Sequence, residues 1–453
     1  MSTDAYGHGL VVVGGSDAGI MAGLWARRTD PDLPVTVVVR DAYPNFSICG
    51  LPFYLSGETP AWQMLAHRTT SELEDAGLRL MLGHEALAID PGARTVHLRG
   101  PDGEENDVAY ERLVVGTGAR PVVPPLPGVE LPGVHVLHTI DQARQLDDAI
   151  EHGTRRAVLI GAGYVGTELA DALTVRGLEV ALVEMVPAVL TTFDPDLGDL
   201  VGAELRRHGV SVRTSTTVER IVADEKGFRV VGSPELDARA DLVVVAVGVR
   251  PDATLLVAAG AATGARGAVA VDAAMGTGLD GIWAAGDCVH THHVLLDEPT
   301  YLPLGTTAHK QGRVAGINAA GGNATFAGSC GTQAVKVFDL VAARTGLRDD
   351  EAAATGYRPL SVSVTVDDHK AYYPGATPVH VRLTGDRTTR RLLGVQLIGA
   401  YGAEISKRID IAATAIHAGH RVDDLANLDL SYTPPLSSPW DPVQVAGQAW
   451  SVT

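Results

Sequence analysis

The chain carries one short pattern twice: an apolar strand running into a glycine turn at the start of a helix. The first copy is Leu10-Val-Val-Val-Gly14-Gly15-Ser16-Asp17-Ala18-Gly19, followed by IMAGLWARR. The second is Ala157-Val-Leu-Ile-Gly161-Ala162-Gly163-Tyr164-Val165-Gly166, followed by TELADALTVRG. Each predicts a βαβ unit whose helix N-terminus offers backbone N–H groups and the positive end of a dipole to a pyrophosphate. The first glycine permits the bend, the second lets backbone approach phosphate, and the third lets helix pack on strand. Such a chain is expected to be α/β, with two Rossmann-like dinucleotide-binding domains.

The copies are not equal. The second keeps Gly161, Gly163 and Gly166, and its next strand, EVALVE, ends in Glu184, at the distance from which a carboxylate holds an adenosine ribose 2′-OH. No Arg or Lys follows in MVPAVL to receive a 2′-phosphate, so NADH is expected there ahead of NADPH. The first copy keeps Gly14 and Gly19 but has Ser16 at the middle position. Its next strand, VTVVVRD, ends in Val39 and Arg40, leaving Asp41 as a late substitute for the ribose carboxylate.

At 453 residues the chain is too long for one core of usual size, and two or three domains are expected. A formal charge of −18 argues against nucleic acid and anionic membrane surfaces as partners. No apolar run approaches the ~20 residues of a membrane span, and MSTDAYGHG lacks the basic and apolar regions of a secretory signal. Cys49, Cys288 and Cys330 are odd in number and widely spaced, which fits neither a disulfide framework nor a metal site. A reducing, cytoplasmic compartment is therefore expected.

Three later segments carry a specific resemblance. Tyr110-Glu-Arg-Leu-Val-Val-Gly116-Thr117-Gly118-Ala119-Arg120-Pro121 is a strand entering a glycine turn. Thr277-Gly-Leu-Asp-Gly-Ile-Trp283-Ala284-Ala285-Gly286-Asp287 is a strand ending in Gly-Asp, and AVGVRPD spans Ala246 to Asp252. In order and spacing along nearly the whole chain these resemble the FAD- and NAD(P)H-dependent pyridine nucleotide-disulfide oxidoreductase family. The resemblance implies that the first unit, with Gly14, Gly19, Asp41, Thr117 and Gly118, holds FAD, and that Asp287 hydrogen-bonds its ribityl chain. It implies an FAD domain split between 1–120 and 250–325, with an NAD(P)H domain of 121–249 inserted into it. Residues 326–453 would form a C-terminal α/β dimerisation domain, and hence a homodimer.

The same resemblance implies a redox sulfur beside the flavin. The fifth residue after Cys49 is Tyr54, so the local C-x-x-x-x-C disulfide of other branches is excluded. C-G-L-P-F-Y at Cys49 to Tyr54 resembles the single-cysteine branch of coenzyme A-disulfide reductases, NADH oxidases, NADH peroxidases and persulfide reductases. Gly331-Thr-Gln-Ala-Val-Lys-Val-Phe-Asp and Ser431-Tyr432-Thr433-Pro434-Pro435, running on to Asp441-Pro442, resemble that branch too. The implied activity is NADH-driven reduction of a small disulfide or persulfide, with coenzyme A disulfide the leading substrate. Reduction of oxygen or peroxide at the same cysteine is the alternative; a flavoprotein passing electrons to a protein partner, with Cys49 idle, is another.

The attacking form must be a thiolate, and Gly50 and Pro52 suit a chain turning into a helix whose N-terminus is expected to lower the Cys49 pKa. Oxidases and peroxidases of the branch carry a histidine in the first glycine turn. The matching residue here is Asp17, so no imidazole is expected there. Asp17 reads as an active-site acid or as a solvated residue capping its helix. In coenzyme A-disulfide reductases two tyrosines of the partner subunit assist the departing thiolate; one aligns with Tyr432, the other with Tyr372 or Tyr373, and Tyr372 is preferred. Arg27, Arg28 and Arg68 resemble positions that hold coenzyme A phosphates, although arginines at a helix end also complement its dipole. Asn45 and Ile48 depart from the branch's Ser and Asn. Cys288 and Cys330 are expected to be structural, and His290, His292 and His293 to be a solvated loop rather than a metal site.

Overall fold

The computed structural model describes residues 9–225 and 227–453. Leu10–Val13 is the middle strand of a parallel sheet ordered Ile282–Ala284, Arg112–Val115, Leu10–Val13, Val35–Val39 and Leu78–Leu82. Leu10–Val13 and Val35–Val39 are buried along their whole length, as uniformly apolar strands covered on both faces must be. Arg156–Ile160 holds the same place in a second parallel sheet, ordered Ser211–Arg213, Glu179–Val183, Arg156–Ile160, Leu242–Val245 and Val134–His135. The two middle strands lead into helices Asp17–Thr29 and Tyr164–Val175.

The two turns share their backbone geometry. Gly14 has φ 120° and Gly161 φ 104°. A Cβ would stand 2.2 Å from the Gly116 carbonyl oxygen in the first turn and 2.5 Å from that of Ala246 in the second. At Gly19 and Gly166 a Cβ would come within 2.0 and 1.9 Å of the Gly14 and Gly161 carbonyl oxygens. Only glycine lets each helix sit this close to its turn.

The chain passes between the sheets through two neighbouring strands, Ala119–Pro121 and Val249–Pro251, paired antiparallel. The Thr117 hydroxyl donates to the Asp252 carbonyl at 2.6 Å, and the Asp252 N–H donates to Gly118 at 2.9 Å. The Asp252 carboxylate also pairs with Arg120 at 2.7 Å. The end of AVGVRPD is thus the latch at the crossing.

Beyond residue 330 an antiparallel sheet is ordered Gln333–Val337, Leu340–Gly346, Leu392–Ala400, Pro378–Asp386 and Pro359–Asp367. Helices Ile405–His417 and Pro442–Ser451 pack on it. Lys336, on its first strand, lies 3.0 Å from Glu58 and 3.6 Å from Asp171, tying this sheet to the segment after Cys49 and to helix Tyr164–Val175. Among the described residues no helix is long and apolar enough to cross a membrane.

The three loop histidines do not stay together in solvent. His293 is buried, which holds its pKa down to about 4, and His290 Nε2 bonds the Val271 backbone at 2.8 Å. Only His292 is exposed. The expectation fails because the local pairing of Thr291–His292 with Pro299–Thr300 turns its two neighbours inward.

Candidate active site

Cys49 is exposed, whereas Cys288 and Cys330 are buried, with thiols pushed up to about 11 and about 12 by that burial. The segment before Cys49 hangs between two supports. Asn45 N–H donates to the Gly15 carbonyl of the first turn at 2.7 Å, and His67 N–H donates to the Asn45 carbonyl at 2.8 Å. Ser47 N–H donates to Leu65 at 2.8 Å, and Phe46 pairs with Ala66. Asn45 is buried at φ 55°, a conformation its side chain tolerates better than most. Its departure from the branch pattern therefore has a backbone reason. After Ser47 come a single turn, Ile48–Gly50, and the short helix Leu51–Ser56. A Cβ on Gly50 would meet the end of the Leu65 side chain at 2.6 Å, so Leu65 packs close against the residue after the cysteine. Tyr54, in the place of a second cysteine, donates its hydroxyl to Asp147 at 2.7 Å.

The helix start does not lower the Cys49 pKa as the sequence suggested. Although the residue is exposed, the protein atoms packed around its sulfur desolvate it and push the thiol up first, then the carboxylates of Glu168, Asp17 and Asp287, against a backbone hydrogen bond that favours the thiolate. Those three acids come from helix Tyr164–Val175, the first glycine turn and the Gly-Asp segment, so only tertiary packing collects them around the sulfur. Glu168 was not foreseen, although its place two residues past Gly166 puts it on the helix that faces the site. Burial, with Asp171 second, raises its carboxyl to about 7, while Lys336 lowers it.

Asp17 overturns a second expectation. The first turn was read as offering no imidazole, yet His67 Nε2 lies 3.8 Å from Asp17 Oδ1 and His309 Nδ1 lies 3.6 Å from Oδ2. Burial raises the Asp17 pKa, and the two histidines pull it back. His309 gets there because Gly305, His309, Gly312 and Gly316 share one face of helix Gly305–Ala319. A Cβ at Gly312 or Gly316 would strike the Ala18 or Ala22 carbonyl at 2.3 or 2.1 Å. Helix against helix, the contact is nearly backbone to backbone, and it sets His309 over the glycine turn.

The residues of the first unit fit FAD. Ser16 leaves the N-terminus of helix Asp17–Thr29 without a side-chain cap, so its N–H groups face outward for a pyrophosphate. Gly118, at φ 72°, has open space where a Cβ would project. Asp287 lies deep in the cradle, its carboxyl raised to about 7 by burial and then by Asp17. A carboxyl of that kind suits a ligand rich in hydroxyl groups. Asp41 follows strand Val35–Val39 and stands 3.8 Å from Arg40. The second unit fits a nicotinamide dinucleotide. The Gly163 cap has open space at its Cβ position, and Glu184 accepts from Ala162 N–H at 2.8 Å and Val186 N–H at 3.2 Å, fixing its carboxylate beside the turn.

Tyr372 and Tyr432 are exposed, and Tyr432 raises the Tyr372 pKa, whereas Tyr373 lies edge-on to His369 at 5.8 Å. Arg27, Arg28 and Arg68 line one cavity of about 380 Å³ with Leu24, Glu72 and Ala76. They are not equally free. Arg27 Nη1 donates to the Pro31 and Leu33 carbonyls, and Arg28 lies over the Trp25 ring at 5.0 Å.

Comparison with known proteins agrees with this geometry. The pyridine nucleotide-disulphide oxidoreductase profile matches residues 8–312, and the dimerisation domain of that group matches 332–442. The chain is 32 % identical over 446 residues to the NAD(P)H sulfur oxidoreductase (CoA-dependent) of Pyrococcus furiosus, covering 96 % of this chain and 97 % of the relative. It is 30 % identical to an NADH oxidase of Methanocaldococcus jannaschii, over 97 % of each. The solved NAD-dependent persulfide reductase from A. fulgidus superposes with a TM-score of 0.94 at 37 % identity, over 98 % of this chain and 83 % of that one. The chain belongs to the FAD-dependent, NAD(P)H-using pyridine nucleotide-disulphide oxidoreductase family.

Proposed function

We propose that the protein is a cytoplasmic homodimer that uses NADH to reduce a low-molecular-weight disulfide or persulfide through Cys49, with coenzyme A disulfide as the leading substrate. The observation that carries this reading is the place of Cys49, the one exposed thiol among the three, where the first glycine turn, the Gly-Asp segment and the Glu168 helix converge. The CoA-dependent sulfur oxidoreductase and the persulfide reductase among its relatives support the substrate class. Glu184 at the second turn supports NADH ahead of NADPH. The crossing strands near 120 and 250 support an FAD domain of 1–120 and 250–325, an NAD(P)H domain of 121–249 and a dimerisation domain of 326–453.

Held by Gly14, Gly19, Thr117, Gly118 and Asp287, FAD would supply transfer of an electron pair from nicotinamide to sulfur. The Cys49 thiolate attacks one sulfur of the disulfide, forming a mixed disulfide and expelling the first thiolate, which takes a proton. The electron pair then breaks the mixed disulfide, and Cys49 returns to the thiolate as the second thiol leaves. One hydride from NADH and one proton from solvent balance the two thiols formed. Tyr372 and Tyr432 of the partner subunit would steady the departing thiolate, and the influence of Tyr432 on the Tyr372 pKa supports Tyr372 over Tyr373. Arg68 and Arg28 would hold substrate phosphates, with Arg27 framing the cavity.

Anaerobic NADH titration of the wild type and Cys49→Ser tests this. The wild type takes up an electron pair beyond the flavin's own, and the variant does not; equal uptake in both would remove the reading. A second reading, reduction of oxygen at Cys49, is favoured by the two imidazoles at Asp17 and by the oxidase relative. Aerobic NADH consumption faster than turnover with coenzyme A disulfide would select it.

A further inference from the structure

Asp17 is the only acid of the group around Cys49 that is gripped between two imidazoles. It comes from the first glycine turn, His67 from the loop that pairs with the Cys49 segment, and His309 from helix Gly305–Ala319. The two ring nitrogens approach different carboxylate oxygens, at 3.8 and 3.6 Å, and the rings stand edge-on to each other at 6.0 Å. Asp17 Oδ1 is buried and makes no hydrogen bond, so a small rotation of His67 would give it its first partner. His309 is already oriented, because its Nδ1 also bonds the Gly305 carbonyl at 2.9 Å. Imidazole and carboxyl thus form a chain set against the Cys49 segment, which the Asn45 N–H holds to the Gly15 carbonyl of the same turn at 2.7 Å.

The geometry points to Asp17 as the acid that protonates the thiolate expelled at Cys49, with His67 and His309 as positioning residues that hold it and return its proton from solvent. This rests on the thiol exchange proposed above. The step balances: the O–H bond of Asp17 breaks, the S–H bond of the departing thiol forms, and an imidazolium gives Asp17 a new proton taken from water. Imidazole can both accept and donate a proton, which suits a residue that returns one to a carboxyl. The other titratable groups on this space are Cys49 itself, Asp287 from the Gly-Asp segment, and Glu168, which faces Cys49 from helix Tyr164–Val175. Burial keeps Asp17 protonated to higher pH than an ordinary carboxyl, which suits a donor.

The test mixes NADH-reduced holoenzyme with coenzyme A disulfide under anaerobic conditions and follows thiol release in a single turnover across pH. In the wild type the rate falls as pH rises through the ionisation of the acid. Asp17→Asn slows release by about 100-fold, the scale of general acid catalysis, and removes that pH limb. His67→Gln with His309→Gln slows it by roughly tenfold, and imidazole added to the buffer restores the rate, which a purely structural role would not allow. Wild-type rate and pH profile in the double variant overturn the inference, as does slowing that imidazole leaves untouched. The NADH titration separates the two levels. A second electron pair taken up by an enzyme whose pH profile ignores the histidines defeats the relay alone; no second pair defeats the proposed function and the relay with it.

Discussion

The two glycine turns make an internal experiment. Gly14 and Gly161 bend alike, and Gly19 and Gly166 admit their helices at the same close approach. At the first helical position, however, one has Asp17 and the other Tyr164. Around Asp17 the structure gathers His67, His309, Asp287 and Cys49, groups able to exchange protons or electrons. Around the second turn it places groups suited only to hold: the open Gly163 cap, Glu184 on backbone N–H groups, and Tyr164, raised to about 12 by burial and in contact with Thr192. One backbone turn geometry thus recurs, while what packs against it gives the two turns different chemistry.

The sharpest way to break this comparison is to damage each cradle by one methyl group. Gly19→Ala should yield protein without flavin and less stable by about 1–3 kcal/mol, the usual cost of overpacking. Gly166→Ala should keep its yellow flavin yet resist reduction by NADH. Absorbance of the purified proteins, thermal unfolding and anaerobic reduction read all three, and loss of flavin in both variants would show that the cradles are not independent.

Glu184→Ala removes the charged acceptor beside the second turn. KM for NADH should rise about tenfold, the scale of one hydrogen bond to a charged group, with little change for NADPH. An unchanged ratio of the two cofactors would assign discrimination elsewhere.

The smallest effect belongs to Glu168, the acid that links the delivering helix to the reacting sulfur. Its folded carboxyl, at about 7, lies above the ordinary 4.5. Its contribution to stability is therefore present below pH 4.5 and is lost as pH rises through about 7. Glu168→Gln escapes this loss, so in the apoprotein its melting temperature should gain on the wild type by about 1–2 °C across that window. The variant should also alkylate faster at Cys49 at neutral pH, because one carboxylate opposing the thiolate is gone. A gap that narrows with rising pH would reverse the assigned sign.

Much of this was legible in the chain because it is written in local patterns. A strand, a glycine turn and a helix follow from consecutive residues, and both cradles appeared where Gly14 and Gly161 predicted them. Cys49 stood out because its neighbours match a motif, and it is the exposed thiol of the three. The convergence of Arg27, Arg28 and Arg68 on one cavity was legible too, but not that Arg27 would turn onto the Pro31 and Leu33 carbonyls. The state of the Cys49 thiol was misjudged for a related reason. A short helix start is visible in sequence, whereas burial and the fields of Glu168 and Asp287, more than a hundred residues away in the chain, are not.

By itself the sequence determined the two strand–turn–helix units and singled out Cys49, since each depends on residues adjacent in the chain. Tertiary structure alone decided what surrounds that sulfur. His309 reaches Asp17 only because Gly312 and Gly316 let two helices meet backbone to backbone, and Glu168 reaches Cys49 only because the second unit folds against the first. Charges act through space, and their energies depend on distances that no spacing along the chain encodes.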